Sequence, residues 1–286
     1  MIELTTFVLA VMIAPALGPE NSVRRIDLGE AILVLPAGYR PQSGRADVIF
    51  HMHGAAPVVE KALVNSGWQG PLLLFNRQGL SSVYSEPFRD PALFPRILDK
   101  ARQAIISAWP TEDPTIGRVF VSSFSAGFGG IRELLAVPDH FARIDGLILA
   151  DSLYAGYIGD PSERRIDPAK MAGFRKFAAE AADGRKTMIV THSAQIPSGY
   201  ASTTETANDL IAHVGGTADP VDQDWGDGWR LTSRFVKGRL VVLGFAGAGP
   251  EDHMRHLRRI EKIWLAAIEV ERQNRVNGPL VPTTPR

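Results

Sequence analysis

The chain has 286 residues, 31 Lys plus Arg against 31 Asp plus Glu, and no cysteine. A chain of this length can bury a large core without disulfides or a structural metal. The zero net charge argues against a general nucleic-acid binder and against a polybasic membrane-surface protein, because both need an excess of Lys and Arg. The lack of cysteine excludes a thiol nucleophile, a zinc–thiolate site and an iron–sulfur cluster. A hydrophobic share of 45%, with 27 Gly and 20 Pro, is typical of a globular, loop-rich enzyme.

The two ends of the chain differ from its body. Residues 7–17 form an apolar run that is too short to span a bilayer, so we expect no stable membrane insertion. Residues 1–22 are either a signal peptide or an N-terminal extension that packs on the body. A signal peptide would make the protein secreted or periplasmic, and its absence would make it cytoplasmic. Residues 277–286 contain three prolines and are predicted to be a frayed tail.

Between these ends, short apolar runs alternate with helical patterns. Most of the runs are apolar on both faces, as strands covered by helices on both sides must be. The pattern predicts an α/β fold with a doubly wound, mostly parallel sheet, in which ligands bind at the carboxyl ends of the strands. We expect a single domain over residues 23–276, with small insertions at about 152–166 and 216–238. The predicted strands are residues 31–35, 47–51, 72–75, 118–122, 146–150, 187–191 and 239–244.

Helix signals complete the predicted body. Asp167 and Pro168 offer an N-cap and a first-turn proline, and Ser202 and Glu205 have the spacing of a capping box. Apolar residues recur at helical spacing over residues 253–272, which predicts one C-terminal helix.

The sharpest chemical motif is the stretch Ser123-Phe124-Ser125-Ala126-Gly127, which directly follows a β-rich run. A nucleophilic serine at a strained strand-to-helix turn needs small residues two positions before and after it. Ser123 and Gly127 meet that need, although Ser123 replaces the commoner glycine. The alternative interpretation is an ordinary Ser/Gly turn between a strand and a helix.

Two further motifs lie at the ends of predicted strands. The strand over residues 47–51 leads into His53-Gly54-Ala55, well upstream of the serine motif. The last strand leads into a Gly-rich loop and then His253. The three motifs together resemble the α/β-hydrolase superfamily, and in particular its serine hydrolases and esterases. The resemblance covers about residues 31–272 and implies the α/β-hydrolase fold.

The resemblance also implies roles for individual residues. Ser125 would be the nucleophile and His253 the general base, while the N–H groups of Ala55 and Ala126 would form the oxyanion hole. His256 lies one turn beyond His253 and is expected to be a supporting or surface histidine. For His51 and His53 we prefer a role in fixing the geometry of the loop.

The acid of the triad is harder to assign. No carboxylate follows Thr191-His192-Ser193, where many members of the superfamily place it. Glu205 is better explained as the capping partner of Ser202. Asp151 ends an earlier strand, a position that some members use, and we assign it as the group that orients His253. The alternative is that Asp151 caps a loop or a helix.

Three other functions compete with a serine esterase. His51, His53 and His192 lie at strand ends and, with Asp252 or His253, could bind zinc in a metal-dependent amidohydrolase-like enzyme. A barrel of that kind needs eight strands, however, and would leave the Ser125 motif unexplained. The scaffold could also serve for binding alone. An acyltransferase would share the triad and cannot be separated from a hydrolase by sequence.

We therefore predict a carboxylic-ester hydrolase that works through an acyl-enzyme, with no metal and no cofactor. Its partner would be a small-molecule ester and not a nucleic acid, and its oligomeric state is left open. Tyr154, Trp225 and Trp229 lie in predicted loops and are candidates for binding the substrate. The alternative for the two tryptophans is that they pack the insertion onto the body.

Overall fold

In the computed structural model, which describes residues 23–110 and 112–277, strands and helices alternate along most of the chain. The expectations for residues 1–22 lie outside this range, as do those for residues 277–286 apart from Asn277, which ends the last helix. The strands are β1 (Arg24–Asp27), β2 (Ile32–Leu35), β3 (Arg45–Met52), β4 (Leu72–Phe75), β5 (Thr115–Phe124), β6 (Gly146–Ala150), β7 (Thr187–His192), β8 (Asp219–Asp224), β9 (Arg230–Lys237) and β10 (Leu240–Phe245). The helices are α1 (Ala56–Asn65), α2 (Ser82–Ser85), α3 (Leu93–Ala108), α4 (Phe128–Ala136), α5 (Pro138–Arg143), α6 (Pro168–Ala182), α7 (Thr203–His213), α8 (Pro250–Arg258) and α9 (Ile260–Asn277).

All of these strands join one sheet, in the order β1-β2-β4-β3-β5-β6-β7-β10-β9-β8. The central strands β4, β3, β5, β6, β7 and β10 are parallel. Antiparallel pairs extend the sheet at both ends, through β2 and β1 on one side and through β9 and β8 on the other. The prediction of a mostly parallel sheet is confirmed.

The sheet is covered on both faces. Val119 and Val121 of β5 face a core that includes side chains of α3, α4, α6 and α7. Phe120 of β5 faces the opposite core, which includes side chains of α1, α8 and α9. Because successive side chains of a strand point to opposite faces, a strand covered on both sides has to be apolar throughout. The central strands read as continuous apolar runs for this reason.

The seven predicted strands are all present, and β1, β8 and β9 were missed. Strand β8 is mostly exposed and contains Pro220 and three aspartates, residues that are rare in strands. The predicted insertion at 216–238 contains β8 and β9, a hairpin that adds two strands to the sheet.

The single helix predicted over residues 253–272 is divided into α8 and α9 around Arg259. No Gly or Pro marks the break, so the periodic pattern runs through it unchanged. Among the described helices, none has the length and apolar character needed to cross a bilayer.

Candidate active site

Strand β5 ends in a sharp turn at Ser125. The residue has a φ of 46°, a left-handed conformation that is uncommon outside glycine. A short 3-10 turn then leads into α4, so the half-buried Ser125 lies at the head of that helix. A Cβ atom at Gly127 would lie 2.4 Å from the carbonyl oxygen of Met52. The turn therefore requires glycine at this position, as the motif predicts.

His253 lies in the first turn of α8, between Ser125 and Asp151. Its Nε2 is 2.9 Å from the Oγ of Ser125, and its Nδ1 is 2.7 Å from Oδ2 of Asp151. The imidazole stacks on the ring of Phe124, with 4.6 Å between the ring centroids. The structure thus brings together the three residues that the sequence proposes as a triad. His256, the neighbouring histidine, is fully buried instead, and its Nδ1 lies 2.8 Å from the Oγ1 of Thr191.

Asp151 follows β6 and is completely buried. The last residue of β5, Phe124, is paired with the last residue of β6, Ala150, so Ser125 and Asp151 occupy matching positions on adjacent strands. Asp151 also has a positive φ, of 44°. Two consecutive strands of the sheet therefore end in a left-handed residue, one with a hydroxyl and the other with a carboxylate.

The carboxylate of Asp151 is surrounded by donors besides His253. Oδ1 accepts from the N–H of Ser193, at 2.9 Å, and from the Oγ1 of Thr203. Oδ2 accepts from the Oγ of Ser193 at 2.7 Å. Burial by itself raises the pKa of Asp151, but the charges of the nearby His256 and His253 and the hydrogen bonds from His253 and Thr203 outweigh it. The pKa of Asp151 is held below its usual range.

Sequence reasoning missed Ser193 and Thr203. The sequence offers one signal for Ser193. It directly follows β7, which pairs with β6, so its side chain can reach the carboxyl end of β6. The carboxylate of Glu205 accepts the main-chain N–H of Ser202 at 2.8 Å and is paired with Arg164. The capping interpretation of Glu205 is confirmed by these contacts.

The loop after β3, residues 53–55, has an unusual backbone. His53 and Gly54 have φ values of 68° and 142°. The Nδ2 of Asn76 donates to the carbonyl of Gly54 at 2.6 Å, and the Nδ1 of His53 lies 2.9 Å from the hydroxyl of Tyr84. Ala55 caps the start of α1 and Ala126 follows Ser125, so both proposed oxyanion residues adjoin helix N-termini.

His51, in β3, forms a hydrogen bond with the main chain of the same loop. Its Nε2 is 2.8 Å from the carbonyl of His53, which can only accept, so Nε2 carries the proton. Its Nδ1 then accepts from the Oγ of Ser122 at 3.0 Å, and that Oγ accepts the indole N–H of Trp264 at 3.0 Å. Burial lowers the pKa of His51 to about 3, which keeps the ring neutral. The loop-fixing role expected for His51 agrees with these contacts.

The metal alternative assigned the histidines at the strand ends as ligands. The Nδ1 of His192 lies 2.9 Å from the Oγ1 of Thr204, and both ring nitrogens of His51 have other partners. No group of three or more His, Asp or Glu side chains within residues 23–110 and 112–277 is arranged to hold a metal ion.

The aromatic candidates fall into two groups. Trp229 is 1% exposed and stacks on Phe245 with 4.0 Å between ring centroids, and Trp225 packs edge-on against both rings. These two tryptophans belong to the core that contains α8 and α9, so their expected role at a substrate rim is wrong. Tyr154 is only half-buried, and its ring lies between those of Phe128 and Tyr200, each 5.5 Å away. Burial and the nearby charge of Asp151 raise the pKa of Tyr154.

Comparisons with solved structures find a similar fold in a known carboxylesterase. No protein-family model matches the chain, and no curated protein sequence matches it. The structure is similar to that of EstE1, a thermostable carboxylesterase from a metagenomic library, with a TM-score of 0.51 and 12% identity over 89% of each chain. It also matches a feruloyl esterase module from Clostridium thermocellum, with a TM-score of 0.46 and 11% identity over 87% of this chain and 89% of that one. The carboxylesterase CesB from Bacillus subtilis matches with a TM-score of 0.45 and 10% identity over 88% and 92%. At these identities the likeness concerns the fold.

Proposed function

The chain has the α/β-hydrolase fold, and from this premise we propose that it is a serine hydrolase that cleaves carboxylic esters. One observation carries the proposal: His253 contacts the hydroxyl of Ser125 through one ring nitrogen and the carboxylate of Asp151 through the other. The three residues follow strands β5, β6 and β10 in the chain order Ser, Asp, His, which is the order typical of this fold. A serine activated in this way is a nucleophile for acyl transfer.

In the acylation step, the Oγ of Ser125 attacks the carbonyl carbon of the ester. The serine proton passes to Nε2 of His253, and the buried Asp151 stabilises the imidazolium that forms. The negative oxygen of the tetrahedral intermediate is held by the N–H groups of Ala55 and Ala126. The intermediate then collapses, the ester C–O bond breaks, and the alcohol leaves with the proton from His253.

In the deacylation step, water replaces the alcohol. His253 takes a proton from water as the water oxygen attacks the acyl carbon of the acyl-enzyme. The second tetrahedral intermediate releases the carboxylic acid, and the proton on Nε2 returns to Ser125. Ser125, His253 and Asp151 thus complete the cycle without a cofactor.

The surroundings of the triad support an uncharged, apolar ester. Four exposed apolar side chains lie on loops that follow the carboxyl ends of β4, β6 and β7, namely Leu80, Ile158, Ile196 and Tyr200. Leu80 and Ile196 are 79% and 71% exposed, the two highest values among the large apolar side chains of the described residues. Because these loops follow the carboxyl ends of parallel strands, they lie at the edge of the sheet that also carries the triad, where a fold of this kind binds its ligands. With a net charge of zero, the protein also lacks a global field that would attract ions.

Labelling with a fluorophosphonate probe tests the proposal. We expect the probe to modify Ser125 and to abolish hydrolysis of short p-nitrophenyl esters, because it reacts with the activated serine. Ser125→Ala should lose the label and about 10⁴-fold or more in turnover. The control Ser107→Ala, at an exposed serine on α3, should keep both.

Two results would overturn the proposal. In one, ester hydrolysis is abolished by a chelator and untouched by the probe, which would favour the metal alternative. In the other, the folded protein neither reacts with the probe nor hydrolyses any ester in a panel of acyl lengths, which would favour a binding role.

A further inference from the structure

A pair of buried serines connects the turn at Ser125 with the turn at Asp151. The Oγ of Ser123 lies 2.7 Å from the Oγ of Ser152, and the Oγ of Ser152 lies 2.8 Å from the carbonyl oxygen of Ser125. Ser123 and Ser152 are 0% and 1% exposed. We call them the Ser123–Ser152 pair. Each belongs to a different strand end, since Ser123 is in β5 and Ser152 comes two residues after β6.

The direction of these hydrogen bonds is determined by what each atom can do. The carbonyl oxygen of Ser125 can only accept, so the single hydroxyl hydrogen of Ser152 is donated to it. The Oγ of Ser152 must then accept the hydrogen of Ser123. The result is a chain of two hydrogen bonds that runs from Ser123 through Ser152 to the main chain of Ser125. Both hydroxyl hydrogens of the Ser123–Ser152 pair are donated in it.

These two hydrogen bonds connect the turns at two residues with a strained backbone. Ser125 and Asp151 both have a positive φ, and a non-glycine residue held in that conformation is strained. Such a conformation persists only where its surroundings hold it. The Ser152 hydroxyl holds the peptide group that follows Ser125, and the main chain of Ser152 is bonded directly to Asp151.

We infer that Ser123 and Ser152 are positioning residues that hold Ser125 in place for attack, acting through its carbonyl group and not on the substrate. The inference rests on the proposed function, because it takes Ser125 as the nucleophile. It also gives a reason for serine at position 123, where the commoner residue is glycine. A glycine there could not bond Ser152. Space for the serine comes from Gly127, where a Cβ would lie 2.9 Å from the Cβ of Ser123.

The test measures how fast Ser125 reacts and, separately, how much of the protein is competent to react. A fluorophosphonate probe gives both values, because the final extent of labelling counts folded sites and the rate constant reports the placement of the nucleophile. For Ser152→Ala we expect a labelling rate constant about tenfold to a hundredfold lower, since small misplacements of reacting groups cost this much. We expect kcat to fall by a similar factor, with KM for a p-nitrophenyl ester within about twofold of wild type.

Companion variants keep the test decisive if Ser152→Ala folds poorly. Ser123→Ala and Ser123→Gly should lower the rate constant less than Ser152→Ala, because both leave the bond from Ser152 to Ser125. Ser152→Thr keeps the hydroxyl and should restore most of the rate. The matched control is Ser66→Ala, which removes another buried serine hydroxyl, one that donates to the carbonyl of Leu63. It should leave the rate constant unchanged.

The inference is overturned if the folded Ser152→Ala and Ser123 variants label at the wild-type rate. It is also overturned if they lose only the extent of labelling, because that result would show a role in folding alone. In either case labelling of Ser125 in the wild-type protein would still support the proposed hydrolase. Failure of the wild-type protein to label at Ser125 would instead overturn the proposed function itself.

Discussion

At the scale of single residues, the Asp151 carboxylate uses all of its acceptor positions. Each oxygen accepts two hydrogen bonds, from Ser193 and Thr203 on one side and from Ser193 and His253 on the other. An ionised carboxylate has about four such positions and donates nothing. The surroundings therefore select the charged form, and they leave Nδ1 of His253 as the nitrogen that donates to it. In that tautomer the other nitrogen, Nε2, is free to take the proton of Ser125.

Replacing Asp151 with Asn tests this arrangement. The amide keeps the shape of the side chain but brings N–H groups to a site filled with donors, and it favours the wrong tautomer of His253. We expect kcat on short p-nitrophenyl esters to fall by about 10⁴-fold, as the same change does in serine proteases. Circular dichroism should show that the variant is folded.

The matched control for this variant is Glu205→Gln. Glu205 is the acid that sequence reasoning set aside, and its contacts are with Ser202, Arg164 and Tyr157. We expect the control to keep its turnover within about threefold and to lose some thermal stability, since a cap contributes about 1 kcal/mol. Near-normal turnover in Asp151→Asn would mean that Asp151 is not the acid.

Sequence reasoning located the residues at the strand ends but not those that hold them. The three candidate residues could be proposed because Ser125 and Asp151 directly follow strands and His253 lies in the first turn of the helix after a glycine-rich loop. Local spacing therefore gives their positions. Thr203 lies 52 positions from Asp151, and its contact depends on how the loop after β7 turns back. Trp225 and Trp229 show the opposite failure. Their neighbours are Gly and Asp, which suggests an exposed loop, but the hairpin turn directs both rings into the core.

At the scale of elements, the C-terminal helix α9 is bonded to the central strands of the sheet through polar side chains. Glu271 of this helix contacts Arg118 of β5, with 2.6 Å between Oε2 and Nη1, and also bonds Thr187 of β7 and Arg239. The side chain of Glu271 is only 12% exposed. Seven positions earlier, the indole N–H of Trp264 donates to the Oγ of Ser122, which bonds His51. His51 in turn bonds the loop at residues 53–55. The helix therefore supports both the sheet and the candidate oxyanion loop.

Glu271→Ala should destabilise the protein strongly. Its removal takes away the carboxylate that pairs with Arg239, while Arg118 keeps its pair with Asp47. Breaking a buried ion pair costs about 3 kcal/mol or more. We expect the free energy of unfolding, measured by urea denaturation, to fall by about that amount. The control is Glu269→Ala on the same helix, where the pair with Arg272 is more exposed. Its cost should be below about 1 kcal/mol, and equal losses in the two variants would contradict the role assigned to Glu271.

At the scale of the whole molecule, buried histidines link stability to pH. Burial lowers the pKa of His51 to about 3 and that of His256 to about 4. A histidine in the unfolded chain has a pKa of about 6.5, so the unfolded state binds more protons between these values. The stabilisation is fully present above about pH 6.5 and is lost as the pH falls toward the folded values.

We therefore expect the free energy of unfolding to decline from pH 7 to pH 5, measured by urea denaturation at several pH values. This window lies above the range in which most carboxylates titrate. His256→Asn should show a shallower decline, whatever its absolute stability, because one proton-binding group is removed from the unfolded state. His213→Gln, at an exposed histidine in α7, should keep the wild-type slope. An unchanged slope in His256→Asn would contradict the linkage.

The sheet as a whole was predictable only where its strands are buried. The seven central and near-central strands have apolar runs bounded by turn residues, and these features depend on local sequence. The outer strands β1 and β8 have little buried surface, so no periodic pattern identifies them. Their position in the sheet depends on pairing with a neighbouring strand, and a local sequence pattern does not encode that pairing.

The polar composition of β8 has a consequence for how the protein behaves at high concentration. An edge strand offers unpaired main-chain groups on which another chain can polymerise. Here Pro220 has no N–H to offer, and the carboxylates of Asp219 and Asp224 repel a second copy of the same strand, while that of Asp222 is paired with Arg230. Because the net charge is zero, long-range repulsion between whole molecules is weak. Resistance to aggregation at this side of the sheet is therefore a local property of six residues.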